Sequence, residues 1–108
     1  MKQIQAVVPK NFSRWALKSI QDLGVSGVTL VESLGQGEGK RPELQGVQAE
    51  FNPTDLIITV VEDSQLEDVI SVIMDARHTG EKTDGKIFVS EVNMVYDIAT
   101  KQRTIAAI

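Results

Sequence analysis

Two periods of hydrophobicity alternate along this chain. Some segments place apolar residues at every second position or continuously, as in Lys2–Val8 and in TDLIITVV across 54–61, which is typical of strands. Others repeat them every three or four residues behind a polar cap, as in the helix predicted after the Ser64-x-x-Glu67 capping box. The predicted elements are strand Lys2–Val8 (ended by Pro9), helix Ser13–Leu23 (ended by Gly24), strand Val28–Leu34, strand Thr54–Val61, a helix from Ser64 to Gly80, strand Ile87–Val92 and a short strand Val95–Ile98.

The order strand, helix, strand occurs twice, which predicts an α+β fold. Two split βαβ units form the ferredoxin-like βαββαβ sandwich, an antiparallel four-stranded sheet with both helices on one face. The other sheet face then has no cover, and its expected occupants are Val7, Val31, Ile57 and Thr59. Because these side chains are mostly apolar, the pattern favours self-association of the domain through that face.

A segment without a clear period separates the two halves. Gly35–Glu50 (GQGEGKRPELQGVQAE) contains four glycines, so we predict one long loop, and loops of this length in compact domains are usually functional or disordered. Its first residues, Gly35 to Lys40, resemble a phosphate-binding loop only weakly. The spacing of the Walker A motif and the hydroxyl residue after its lysine are both missing, so a flexible hinge is the alternative.

A second loop signal is Thr83-Asp84-Gly85-Lys86, directly before a strand. A glycine exposes backbone N–H groups to an anion, and Lys86 adds a positive charge. In the predicted topology this loop lies at the same end of the sheet as Gly35. The two loops together are therefore a candidate phosphate site, with a plain helix-to-strand turn as the alternative.

Composition excludes several functions. Fifteen acidic and eleven basic residues give a net charge of −4, which argues against nucleic acid as a partner. The absence of cysteine excludes disulfides and thiolate chemistry, and the single histidine leaves no convergent catalytic or metal-binding set. No apolar run of membrane-spanning length and no secretory signal is present. We expect one domain over residues 1–108, in the cytoplasm, that is not an enzyme and holds no metal.

Three segments together resemble the PII family of signal-transduction proteins. They are MKQIQAVV at the start, GVSGVTLVESLGQG across 24–37 and TGEKTDGKIFVSEV across 79–92, and the ending Ala106-Ala107-Ile108 fits as well. The resemblance implies a homotrimer with the sheets facing inward and adenine-nucleotide binding in clefts between subunits. It also implies a T-loop at about 36–50 that docks on a target protein, a B-loop at about 80–86 and a C-terminal loop at about 95–108.

The resemblance also implies site residues. Val7, Thr29 and Val60 would lie near the adenine, the two glycines at the T-loop base near the phosphates, and Lys86 on a phosphate. The implied nucleotide-binding residues are Val7, Thr29, Gly35, Gly37, Val60, Asp84, Gly85 and Lys86.

The chain departs from the family where a polyphosphate would be held. Asp97 and Ala99 stand where classical members carry two arginines, and Thr54 replaces the lysine that binds 2-oxoglutarate. Gly39 and Glu38 stand in the places of the T-loop glutamine and its neighbouring arginine. We therefore expect a divergent member without an obligatory cofactor that favours ADP or AMP over Mg-ATP. Lys40, Arg41 and Arg103 are the cations that can compensate.

Other functions remain open on the sequence alone. The main alternative is a structural or metal-tolerance ferredoxin-like trimer of the CutA type, without nucleotide sensing. A small phosphatase or mutase would need a convergent nucleophile and base, and an RNA-binding sheet would need exposed aromatics on a basic surface. The target protein is not identified by the sequence, and a membrane transporter and a metabolic enzyme are both compatible with it.

Overall fold

The computed structural model describes residues 1–10, 13–25, 27–35, 43–44, 47–48, 51–77, 80 and 85–104. Its elements are β1 (Lys2–Pro9), α1 (Ser13–Asp22), β2 (Val28–Gly35), β3 (Glu43–Leu44), β4 (Val47–Gln48), β5 (Asn52–Val61), a 3₁₀ turn (Asp63–Gln65), α2 (Leu66–Arg77), β6 (Lys86–Glu91), β7 (Val95–Asp97) and β8 (Gln102–Thr104).

Four strands form the main sheet in the order β2-β5-β1-β6, and every neighbouring pair is antiparallel. The strand order and the two helices confirm the predicted ferredoxin-like α+β sandwich. Because β1 and β5 occupy the centre, each half of the chain contributes one central strand and one edge strand. The sheet can therefore form only when both halves are folded together.

The core lies between the sheet and the two helices. Alternation along β1 directs Ile4, Ala6 and Val8 toward the helices, and the first two are completely buried. Each fully buried aliphatic side chain contributes about 1.5–3 kcal/mol to folding. The buried cluster is Ile4, Ala6, Val8, Ala16, Ile20, Val25, Ile57, Val61, Val69 and Ile73.

The opposite sheet face, here called the open face, carries no helix. It consists of outward positions on β1 and β5 and the positions paired with them on β2 and β6. These residues are Gln3, Gln5, Val7, Thr29, Val31, Ser33, Thr54, Leu56, Ile58, Val60, Lys86, Phe88 and Ser90. Val7 and Val31 lie there as predicted. Ile57 and Thr59 do not, because they are 0% and 2% exposed beneath the helices.

The error arises from the composition of β5. Its run is apolar at nearly every position, so its own sequence does not show which residues face the helices. The register decides, because Ile57 pairs with Ala6 and paired residues share a face.

The start of the second helix differs from the predicted one. The capping box at Ser64 is wrong, because Glu62 and Gln65 form it instead: the Gln65 Oε1 atom accepts a hydrogen bond of 3.0 Å from the Glu62 N–H. A 3₁₀ turn therefore precedes α2. The described part of α2 extends to Arg77, residues 78 and 79 lie outside the described part of the chain, and Gly80 has a positive φ of 86°, which fits its predicted role as the residue that ends the helix.

Two predicted strand and loop boundaries also change. Pro9 stays in β1, where it pairs with Thr54, because pairing with β6 begins only at Val7 and the missing N–H breaks no bond on that side. The segment 35–50 is not one uninterrupted loop. Gly35 pairs with Asn52 as the last residue of β2, and β3 and β4 form a short antiparallel pair. The other residues of this segment lie outside the described part of the chain.

The tail contains a hairpin in place of the single short strand that was predicted. Its strands β7 and β8 pair from Val95–Thr104 to Asp97–Gln102, and Lys101 adopts a left-handed φ of 59° in the turn. These two strands form their own sheet, separate from the main one.

Candidate functional site

Four strand ends meet at one end of the main sheet. The register pairs Gly35 with Asn52, Pro9 with Thr54 and Val7 with Lys86, so the ends of β1 and β2 adjoin the starts of β5 and β6. We call this the loop end, defined by residues 7–9, 33–35, 52–55 and 85–86. Gly35, which precedes the segment at about 36–50, therefore lies at the same end of the sheet as Gly85 and Lys86, as the topology predicts, although β2 and β6 are opposite edge strands.

Gly85 is held against the backbone of β1. Its φ is 114°, and a Cβ atom at this position would lie 2.1 Å from the Val7 carbonyl oxygen. Both facts require glycine. This close approach fixes the chain just before Lys86, which pairs with Val7 and lies exposed at the edge of the open face. Lys86 is thus a positive charge presented next to exposed backbone, the arrangement that suits an anion.

On the other side of β1 from Lys86, the start of β5 contacts the end of β2 through hydroxyl groups. The Ser33 and Thr54 hydroxyl oxygens are 2.7 Å apart, and a Cβ on Gly35 would lie 3.1 Å from the Thr54 methyl carbon. Thr54 stands where the family resemblance implies a lysine. The structure therefore places a hydroxyl pair at this point of the loop end.

The residues implied for the adenine lie on the open face. Thr29 pairs with Ile58, which makes it a diagonal neighbour of Val60. Val7 pairs with Leu56, four residues before Val60 and so about 13 Å from it along the strand. Within one subunit these three residues form a band that runs from the loop end across the sheet.

The C-terminal hairpin explains what Asp97 does. Its Oδ1 atom accepts hydrogen bonds from the N–H groups of Ala99 at 2.9 Å and Thr100 at 3.4 Å. The carboxylate that replaces an expected arginine thus stabilises the turn of its own hairpin. Arg103 lies across from Tyr96, is exposed, and has its Nη1 atom 3.8 Å from the Met94 sulfur. Among the described residues it forms no ion pair.

Several implied site residues lie outside the described part of the chain. They are Gly37, Glu38, Gly39, Lys40, Arg41 and Asp84. The described portion contains no group of three or more histidine, cysteine or acidic residues able to hold a metal ion. None of its helices is long and apolar enough to cross a membrane.

The sequence interpretation missed one buried polar pair at the loop end. Asp55 and Ser13 are each 3% exposed and are joined by a hydrogen bond of 2.8 Å. The available signal was an acidic residue inside a strand that is otherwise apolar, since a buried carboxylate requires a partner.

The comparison with protein families identifies the fold's relatives. The model of the family described as Nitrogen regulatory protein P-II matches residues 1–102. The chain belongs to the PII family. Members of this family are signal-transduction regulators rather than enzymes, so the prediction that this PII protein is not an enzyme is confirmed. Family membership does not favour the CutA-like alternative.

Similar proteins come from bacteria and archaea. A "Nitrogen regulatory protein P-II" of Azospirillum brasilense is 38% identical over 95% of this chain and 96% of its own length. One from Rhizobium leguminosarum bv. viciae is 38% identical with both chains fully covered. A "Nitrogen fixation nifHD region GlnB-like protein 1" of Methanothermobacter marburgensis is 29% identical over 94% of this chain and 97% of its own length. The similarity therefore spans the whole domain.

Proposed function

We propose that this PII protein binds an adenine nucleotide in clefts between the subunits of a homotrimer. In this proposal the nucleotide controls how the T-loop, at about 36–50, docks on a target protein in nitrogen or carbon metabolism. The observation that carries the proposal is the loop end, where Gly85 lies against Val7 and holds Lys86 at the same end of the sheet as the base of that segment, on the opposite edge strand. Family membership supports it, because PII proteins bind adenine nucleotides.

The open face supports the trimer. Val31 and Phe88 are 40% and 56% exposed on it, and they flank the apolar positions of the two central strands. A sheet face that exposes a contiguous set of apolar side chains such as these favours an association that covers it. Subunits packed through this face would cover it and would bring the C-terminal hairpin of one copy toward the loop end of the next.

The charges at the site support ADP or AMP over Mg-ATP. Asp97 is negative where the family pattern has an arginine. Thr54 stands where that pattern has a lysine, and its hydroxyl is bonded to Ser33. A hydrogen bond to a charged group contributes about 1.5–3 kcal/mol, so each missing cation weakens polyphosphate binding roughly 10- to 100-fold. Lys86 and Arg103 remain as described cations, with Lys40 and Arg41 proposed as further phosphate contacts.

The regulatory step follows from the thermodynamic linkage between nucleotide binding and target docking. A nucleotide changes docking only if it binds one arrangement of the T-loop more tightly than another. By the same coupling, the target changes nucleotide affinity by an equal factor. We propose a cytoplasmic location, and a membrane transporter or a metabolic enzyme as the class of target.

Calorimetric titration tests the proposal. ATP, ADP, AMP and cyclic adenine nucleotides are titrated with and without magnesium and 2-oxoglutarate, while light scattering reports the subunit number. We expect a trimer that binds ADP or AMP more tightly than Mg-ATP and gains nothing from 2-oxoglutarate. Lys86→Ala should weaken binding, whereas Lys18→Ala, an exposed lysine on α1, should not. Tight Mg-ATP binding strengthened by 2-oxoglutarate would refute the proposed preference, and no nucleotide binding would refute the proposed function.

A further inference from the structure

A buried carboxylate lies under the loop end, and the roles implied by the family resemblance do not include it. Asp55 occupies the helix-covered face of β5, next to Val8 of β1, and is 3% exposed. Its Oδ2 atom accepts a hydrogen bond of 2.8 Å from the hydroxyl of Ser13, the first residue of α1. This bond crosses from the sheet to the helix layer within the buried interior.

We propose that Asp55 is a positioning residue that holds the start of β5, and with it the base of the T-loop, at a fixed place relative to α1. The expected effect on nucleotide binding rests on the proposed function. The effect of Asp55 on the position of the loop end relative to α1 rests only on contacts within the structure.

Those contacts are continuous along the backbone. Asp55 directly follows Thr54, whose hydroxyl is 2.7 Å from that of Ser33 near the end of β2. One residue of β5 is therefore tied to the helix layer and the next to the neighbouring strand. A displacement of Asp55 moves Thr54, because adjacent residues share one rigid peptide unit. Gly35 lies close to this point, because a Cβ atom added to it would be 3.1 Å from the Thr54 methyl carbon.

Lys10 adds two further ties at this edge. Its N–H donates to the Pro53 carbonyl oxygen at 3.4 Å, and its ammonium group lies 3.6 Å from the Glu32 carboxylate. Glu32 pairs with Asp55 in the sheet. The exposed ion pair contributes little by itself, so the buried bond is the stronger of these two side-chain ties and adds to the backbone pairing of β5 with β1 and β2.

Burial makes the Ser13 hydroxyl matter to position as well as to stability. A carboxylate near the first turn of a helix is favoured by the helix dipole. Its hydrogen bond with a hydroxyl group is stronger in the protein interior than in water. If Ser13 loses its hydroxyl, the buried carboxylate loses the partner described for it. We expect the start of β5 to shift so that this buried polar group reaches water or another donor.

The same strand provides a matched control. Thr59 is 2% exposed on the same face of β5, and its hydroxyl donates a bond of 2.7 Å to the Gly27 carbonyl. Thr59 pairs with Ile4, away from the loop end. Thr59→Val therefore removes a comparable buried hydroxyl bond without touching the residues that lead into the T-loop.

The experiment compares Ser13→Ala, Asp55→Asn and Thr59→Val by native-state hydrogen exchange, urea unfolding and ADP titration. In Ser13→Ala we expect the amides of residues 33–35 and 52–55 to exchange roughly tenfold faster or more, the factor that corresponds to losing a bond to a charged group. ADP affinity should fall roughly threefold or more, in proportion to the loss of the binding-competent arrangement. Asp55→Asn keeps an acceptor for Ser13 and should show smaller changes of the same kind.

Thr59→Val should lower the urea midpoint while leaving exchange at residues 33–35 and 52–55, relative to the global rate, unchanged. ADP affinity should also stay at the wild-type value. If amide hydrogen exchange became faster by the same factor at both ends of β5 in all variants, Asp55 would have only a stabilising role and the positioning role would be overturned. If the unaltered protein binds no adenine nucleotide, the proposed function fails, whereas the exchange comparison still decides whether Asp55 positions the loop end.

Discussion

Replacing Gly85 with alanine should separate the start of β6 from β1. The new Cβ atom would lie 2.1 Å from the Val7 carbonyl oxygen, although real Cβ contacts essentially never fall below 3.0 Å. Backbone atoms cannot rotate away as a long side chain can, so the strand itself has to move by about 1 Å. In addition, a φ of 114° is open to glycine but strained for alanine.

The magnitude follows from these two terms. The backbone strain costs about 1–3 kcal/mol. Opening the pairing between Val7 and Lys86 removes one or two ladder hydrogen bonds, each contributing about 0.5–1.5 kcal/mol. A total near 3 kcal/mol is a large part of the stability of a small domain, which is about 5–15 kcal/mol. Nucleotide affinity should fall with it, because Lys86 is displaced from the loop end.

Urea unfolding measures this loss, and Gly24→Ala is the control. Gly24 has a similar positive φ of 87°, yet an added Cβ there meets nothing within 4 Å. The control therefore carries the backbone strain without the contact, and Gly85→Ala should be less stable than Gly24→Ala by about the value of the lost ladder bonds. Equal stability of the two variants, with wild-type nucleotide affinity in Gly85→Ala, would refute the role given to the close approach.

Three further perturbations test the core, the open face and the hairpin. Ile57→Ala should cost about 2–5 kcal/mol in urea unfolding, because it opens a cavity under the helices, and a cost near zero would contradict its assignment to the core. Phe88→Glu should shift the protein from trimer to monomer in light scattering with its circular dichroism retained, whereas Met74→Glu, on a helix residue of similar exposure, should leave the trimer intact. Asp97→Arg should raise Mg-ATP affinity roughly tenfold or more in calorimetry, since it exchanges a repelling charge for an attracting one. Asp97→Ala should give a smaller rise, and an unchanged affinity in both variants would show that position 97 does not face the phosphates.

The fold could be predicted because its signals are local. Strand alternation in β1, the helical stripe of α2 and the positive-φ glycine after α1 each depend on neighbours within a few residues. The two repeats of strand, helix and strand then leave few antiparallel arrangements that bury both helix stripes. The resemblance in residues 24–37 and 79–92 pointed to the PII family, and the match over residues 1–102 agrees with it.

The site was predicted less completely, because its contacts join distant segments. Gly85 was identified as a loop glycine, but its reason for being glycine is the Val7 carbonyl, 78 residues earlier in the chain. Thr54 was identified only as a missing lysine, and its bond to Ser33 depends on the pairing of β5 with β2. Asp97 was read as a charge opposed to phosphate, whereas its hydrogen bonds belong to the turn of a hairpin that the sequence did not predict.

By itself the sequence determined the four strands of the main sheet and the two helices, the fold class, the family and the position of the two loop signals at one end of the sheet. Tertiary structure alone decided which face of β5 is buried, because a strand that is apolar on both sides takes its orientation from the register with β1. It also decided that Asp55 is an interior residue bonded to Ser13. The physical reason is the same in both cases: local periodicity reports what a residue prefers, whereas burial and pairing are properties of the neighbours that the fold brings to it.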